Sequence, residues 1–134
     1  MLHPNQFEVN EAWIAFQLNN EPVRTEKDGQ FNCVALMDAA SCFIFGMVMV
    51  PMGRPELSKF EVRRLLKKGW ETKRQFPETL FVPAGRFEDV LPAEAERQGI
   101  AVVHVQDSHL LVFTSEARQS FKEHFQAGDA NSEA

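Results

Sequence analysis

Two apolar runs constrain this chain more than anything else in it. "FNCVALM" (Phe31–Met37) and "CFIFGMVMV" (Cys42–Val50) are separated by the four residues "DAAS". Both runs have strand length and are largely apolar at odd and even positions alike. Successive side chains of a strand point to opposite sides, so such runs must be covered on both faces. Joined by so short a loop, they predict an antiparallel hairpin inside a covered sheet, with Met37 opposite Cys42. The loop opens on Asp38. A carboxylate there has two available roles: a metal ligand in a catalytic site, or an acceptor for the N–H groups of the turn.

The flanking segments extend the sheet. "AWIAFQL" (Ala12–Leu18) alternates Ile14, Phe16 and Leu18, which predicts a strand, with a short helix as the rival. "NNEPVRTEKDGQ" reads as a charged, turn-rich connection. Ser58 and Glu61 have capping-box spacing, and Val62, Leu65, Leu66, Gly69 and Trp70 then share one helical face. If the Trp70 ring packs on the sheet, Trp70→Ala costs about 3–5 kcal/mol. Pro77 bars continuation of that helix. "TLFVPA" predicts a strand, "FEDVLPAEAERQG" a short helix with Pro92 in its first turn and Gly99 as its stop, and "IAVVHV" another strand. "LLVF" (Leu110–Phe113) fits either state. "SEARQSFKEHF" predicts a last helix, with Ser115 as N-cap and Ala117, Phe121 and Phe125 stacked four apart.

The predicted order is strand, strand, strand, helix, strand, helix, strand, helix. The first three strands form an antiparallel meander, and the later ones run parallel through helical crossovers. The fold class is therefore α/β, a mixed five-stranded sheet with helices on both faces. The 134 residues suit one domain, 1–127, with 128–134 as a flexible C-terminal tail of small polar residues.

That order, and two local patterns, resemble the ribonuclease-H-like superfamily, as in integrase and transposase cores. "VALMDAASCFIFGMVMV" is similar to the family's second-to-third strand hairpin, and "FVPAGRFEDVLPAEAERQGIAVVHV" to its fourth strand, glycine turn and helix. The hairpin also resembles one in small uncharacterised bacterial proteins, which adds no function. The resemblance implies two metal ions held by three acids at one end of the sheet. The first acid belongs on the first strand, where "WIAFQL" has no carboxylate. The second belongs just before the glycine, at Ala84. The third belongs on the last helix, where Glu116 or Glu123 could stand. Asp38 matches the hairpin aspartate, which is not catalytic. The resemblance thus implies a degenerate member without a metal cofactor, with Asp38 serving the turn. On that reading Asp38→Ala costs about 0.5–2 kcal/mol.

Other candidates carry less. Lys59, Arg63, Arg64, Lys67, Lys68, Lys73 and Arg74 supply half of the 14 basic residues in a chain of net charge −5. Arg63, Arg64, Lys67, Lys68 and Arg74 form the candidate binding surface, for phosphates or an acidic protein. The competing reading is a solvated helix face balanced by Glu61 and Glu71, and the absence of interleaved aromatics favours it. His104, Asp107 and His109 have zinc-compatible chemistry without helical spacing. Cys33 and Cys42 fall about 13 Å apart along the hairpin, too far for a disulfide. No leader-like start or membrane-length apolar run occurs, so a cytoplasmic protein is expected. The expected function is protein association, as a homo-oligomer or with a protein partner. The alternatives are a nucleic-acid-binding remnant using helix 58–74 or a divergent metal-dependent nuclease.

Overall fold

The computed structural model describes residues 2–19, 22–26, 29–54 and 56–133. A 3-10 turn at Pro4–Gln6 precedes β1 (Ala12–Gln17), β2 (Val23–Thr25), β3 (Gly29–Asp38) and β4 (Ile44–Pro51). Then come α1 (Lys59–Lys73), β5 (Thr79–Pro83), α2 (Val90–Arg97), β6 (Ala101–Val105) and α3 (Asp107–Glu133). One sheet results, in which β1 lies between β3 and β5, β6 flanks β5, and β4 flanks β3. The β1–β3 and β3–β4 pairs are antiparallel, and the β1–β5 and β5–β6 pairs are parallel. Strand alternation assigns the core. Trp13, Ala15, Val34, Leu36, Leu80 and Val82 face α1 and α2. Ile14, Phe16, Cys33, Ala35, Met37 and Phe81 face α3.

The sheet has six strands rather than five. β2, within the expected connection, pairs with Gly29–Phe31 of β3 on the flank that β1 occupies further along. The hairpin loop is also longer than "DAAS". Met37 faces Ile44, not Cys42, and a bulge at Leu36/Met37 lets Phe45 join Val48 and Val50 on one face. Both thiols are free, as the spacing required.

Helix α1 carries the expected capping box: Ser58 Oγ accepts from Glu61 N at 3.1 Å and Ser58 N donates to Glu61 Oε1 at 2.8 Å. Its buried face is Val62, Leu65, Leu66 and Gly69. A Cβ on Gly69 would stand 2.5 Å from Trp13 Cη2, so the missing side chain lets the helix close on that ring. Trp70 does not pack on the sheet: it is 38% exposed. One residue beyond Gly69, it turns past the contact stripe, and the Trp13 ring fills the space expected for it.

Helix α3 begins at Asp107, eight residues before the expected cap. "LLVF" belongs to it, and Ser115 is internal, its Oγ donating to Leu111 O at 2.6 Å. Its backbone stays helical through the stretch read as a tail, to Glu133.

Candidate functional site

Asp38 sits at the end of β3, level with Trp13, and is fully buried. Its Oδ1 accepts from Asn10 N at 2.7 Å, and its Oδ2 accepts from Ser41 N at 2.9 Å and Ser41 Oγ at 2.8 Å. Asn10 has φ 68°, a left-handed conformation that Asn tolerates, and its Oδ1 accepts from Trp13 Nε1 at 2.6 Å. The carboxylate therefore ties the hairpin loop to the segment that enters β1. Its oxygens are occupied by the chain's own donors, as a turn residue requires.

The other end of β1 is where the resemblance would gather metal-binding acids. Strands β1 and β5 run parallel with Ile14 level with Phe81, and three residues on, Gln17 at the end of β1 and Ala84 just past β5 line one cavity of about 220 Å³. Asn19, Arg86, Asp107 and Arg118 line it as well. Arg118 reaches in from α3 with its side chain only 14% exposed. Its Nε donates to Gln17 O at 3.0 Å, its Nη2 lies 3.2 Å from Asp107 Oδ1, and its guanidinium sits over the Phe16 ring at 5.7 Å. Arg86 Nη2 donates to Gln17 Oε1 at 2.6 Å.

This donor set does not fit a divalent cation, which requires a cage of oxygens. Two guanidinium groups face one carboxylate, and among the described residues no group of three or more His, Cys, Asp or Glu could hold a metal. Glu116 and Glu123 are exposed on α3 outside this cavity. Burial first, then the charges of Asp38 and Glu116, push the Cys42 thiol up, so Glu116 is felt at the hairpin loop. Glu123 accepts from Gln119. His104, Asp107 and His109 do not converge: His104 is exposed on β6 level with Val82, His109 is exposed on α3, and Asp107 pairs with Arg118.

The basic helix contributes to a second concavity, about 440 Å³, between α1 and α2. Arg63, Lys67 and Trp70 of α1 line it with Phe76, Glu94 and Arg97. Glu94 is 4% exposed and holds Arg63 through two contacts, 3.0 and 3.4 Å, and Arg97 at 3.4 Å. The Arg63 hydrogen bond, aided by the charges of Arg63, Arg97 and Lys59, outweighs burial and keeps the Glu94 carboxyl below its ordinary value of 4.5. Lys67 lies 3.9 Å from Glu71. Arg74 caps α1 in a left-handed conformation, φ 57°, and its guanidinium stands 5.0 Å above the Trp70 ring. Arg64 and Lys68 do not line this groove; the Lys68 stem lies against Gly46 of β4. Of the candidate basic residues, Arg63 and Lys67 line this groove and Arg74 stands over Trp70, while Arg97 and Trp70 had no place in the candidate surface; α1 does expose aromatic surface, since Phe60 is 73% exposed.

The architecture, a six-stranded sheet with antiparallel and parallel parts and helices on both faces, matches the ribonuclease-H-like fold of retroviral integrase catalytic cores. The catalytic core domain of BIV integrase matches with a TM-score of 0.58 at 10% identity, over 91% of this chain and 73% of that one. The HTLV-2 integrase catalytic core domain, solved with magnesium in a dimeric form, matches with a TM-score of 0.51 at 10% identity, over 77% of this chain. The match spans 62% of that HTLV-2 chain. No family model and no curated protein matches the sequence. At this identity the likeness establishes the fold alone. Among the described residues no helix is long and apolar enough to cross a membrane.

Proposed function

We propose that this chain is a non-catalytic ribonuclease-H-like domain that acts by pairing with a second copy of itself through the free edge of β4. The observation that carries the reading is the state of that edge. Strand β4 pairs with β3 alone among the described residues, and the side chains it turns away from the α1/α2 core are apolar and open: Met47 is 44% and Met49 52% exposed. Phe43, in the loop before it, is 54% exposed. Sheet edges are usually protected by lysine, inward-pointing charge or covering chain. From Cys42 to Gly53 this chain has no charged residue at all. A twofold axis brings the same strand against itself, so charges of one sign along such an edge would repel, and a charge-free strand avoids that cost. Gln17 and Ala84 at the sheet end support the absence of metal chemistry.

Analytical ultracentrifugation tests this. A dimer is expected at micromolar concentration, and Met49→Lys with Met47→Lys is expected to give a folded monomer. A wild-type chain that stays monomeric at all concentrations refutes the reading.

Trp70 favours a second reading. An exposed indole beside Arg63, Lys67, Arg74 and Arg97 has the composition of a single-strand nucleic-acid groove, where bases stack and phosphates meet cations. Glu94 already neutralises part of that charge, which ranks this reading second. Micromolar binding of a single-stranded oligonucleotide at physiological salt, lost in Trp70→Ala, would place it first. Each phosphate contact would add about −0.7 to the slope of log K against log salt.

A further inference from the structure

The sheet-end cavity has no part in edge pairing, and its chemistry is the inverse of the metal site that the fold accommodates elsewhere. We propose that it binds a small oxyanion, of the phosphate or carboxylate class, between the guanidinium groups of Arg86 and Arg118, with the Asp107 carboxylate occupying part of that position when no ligand is present.

Charge and shape support this ligand class. Two full positive charges and one negative charge line about 220 Å³, a volume suited to a small ligand. A guanidinium is a planar fork of donors that matches carboxylate and phosphate oxygens in pairs. Arg118 is also held ready. The Gln17 carbonyl fixes its Nε, the Phe16 ring supports its plane, and its side chain is 14% exposed. A cation withdrawn from water attracts an anion more strongly than a solvated one does. Ordering it beforehand lowers the entropy cost of binding. Arg86 reaches the same place from the turn after β5, anchored on Gln17 Oε1.

Asp107 marks the oxyanion position. Its carboxylate meets Arg118 Nη2 at 3.2 Å, long for a charge-assisted hydrogen bond, and it is 52% exposed. An exposed carboxylate at that separation is exchangeable, so a ligand oxyanion can replace it while Asp107 turns to water. Asp107 is also the first residue of the 27-residue helix α3, whose N-terminal dipole favours negative charge there. The net charge of −5 opposes an approaching anion only beyond the cavity, because salt screens it over about 8 Å at physiological ionic strength.

The test follows the side-chain Nε–H signals of Arg86 and Arg118 by NMR in the full-length ¹⁵N-labelled chain. Inorganic phosphate and acetate are titrated separately, with ionic strength held constant by sodium chloride. Saturable shifts at both arginines are expected with at least one of the two, and which one saturates assigns the class. Asp107→Asn should tighten binding several-fold by removing the competing carboxylate. Arg86→Gln, at an exposed turn position where folding is not at stake, should abolish saturation. Shifts that grow linearly without saturating, or that chloride alone reproduces, overturn the proposal. So does unchanged affinity in Arg86→Gln.

Discussion

The two ends of β1 treat charge in opposite ways. At its N-terminal end a fully buried carboxylate, Asp38, is surrounded by donors from the chain itself: Asn10 N, Ser41 N and Ser41 Oγ. At its C-terminal end a cation, Arg118, stands beside a cavity with an exposed partner. A buried charge whose hydrogen-bonding capacity is used internally holds a structure together. A buried charge whose partner is exposed and replaceable can serve a ligand. The residue that looks most like a catalytic acid therefore lies at the closed end, and among the described residues the end with room for chemistry has no acid cage.

The sharpest way to break this contrast is to remove the ring that anchors the closed end. Trp13 is fully buried and its Nε1 donates to Asn10. Trp13→Ala is expected to cost about 3–5 kcal/mol in urea denaturation. Asp38→Ala follows at about 2–4 kcal/mol, above the range for a single cap, because three charge-assisted hydrogen bonds go together. At the open end, Arg118→Gln should cost only about 1 kcal/mol, since glutamine retains a donor for Gln17 O. Equal losses at Asp38 and Arg118 would erase the distinction.

Gly69→Ala probes the packing behind the closed end. The added Cβ would meet the Trp13 ring at 2.5 Å, costing about 1–3 kcal/mol against a helix-propensity gain of about 1. A small net loss of stability is expected, relieved in a Trp13→Phe background. Trp70→Ala, by contrast, should shift the midpoint by less than about 1 kcal/mol, as for other exposed positions.

The smallest effect concerns acid. Burial raises the Glu61 carboxyl, but the hydrogen bonds from Arg54 and Ser58 outweigh it and hold it below its ordinary 4.5. Glu94 is lowered too, chiefly by the Arg63 hydrogen bond. A carboxyl lowered by folding adds stability above its unfolded pKa and loses it as pH falls through the folded one. The denaturation midpoint should therefore drop below about pH 4.5, and the combined Glu61→Gln, Glu94→Gln variant should show a shallower drop. A parallel decline would show that neither Glu61 nor Glu94 carries the acid sensitivity.

Much of the fold was legible because runs apolar on both faces leave few options. The turn role of Asp38 was legible only through the resemblance, since the residues alone left a metal ligand as the rival. Strand β2 was not, because three residues among turn formers show no period. The start of α3 was hidden by "LLVF", although Leu110, Phe113, Ala117 and Phe121 repeat at helical spacing and all pack on the α3 core. Trp70 was misplaced because a helical wheel ranks faces but does not say that Trp13 fills the space first. Arg118 was invisible as a site residue. Its position follows from a contact with Gln17, 101 residues away, which no local pattern encodes.

The place of β1 has a consequence for how the chain acquires its shape. One edge of β1 is taken by β3, which follows soon after it, while the other waits for Thr79–Phe81 of β5. The meander of β1, β3 and β4 can therefore assemble from local contacts, but its central strand keeps an open parallel edge until the chain beyond α1 has emerged. Parallel pairing over such a separation is slow because the intervening loop must close first. During synthesis the apolar strands are thus exposed on two flanks at once, at β1 until β5 arrives and at β4 throughout. Yield should therefore depend on the rate at which residues up to Phe81 are delivered, and slowing translation between α1 and β5 should increase aggregation.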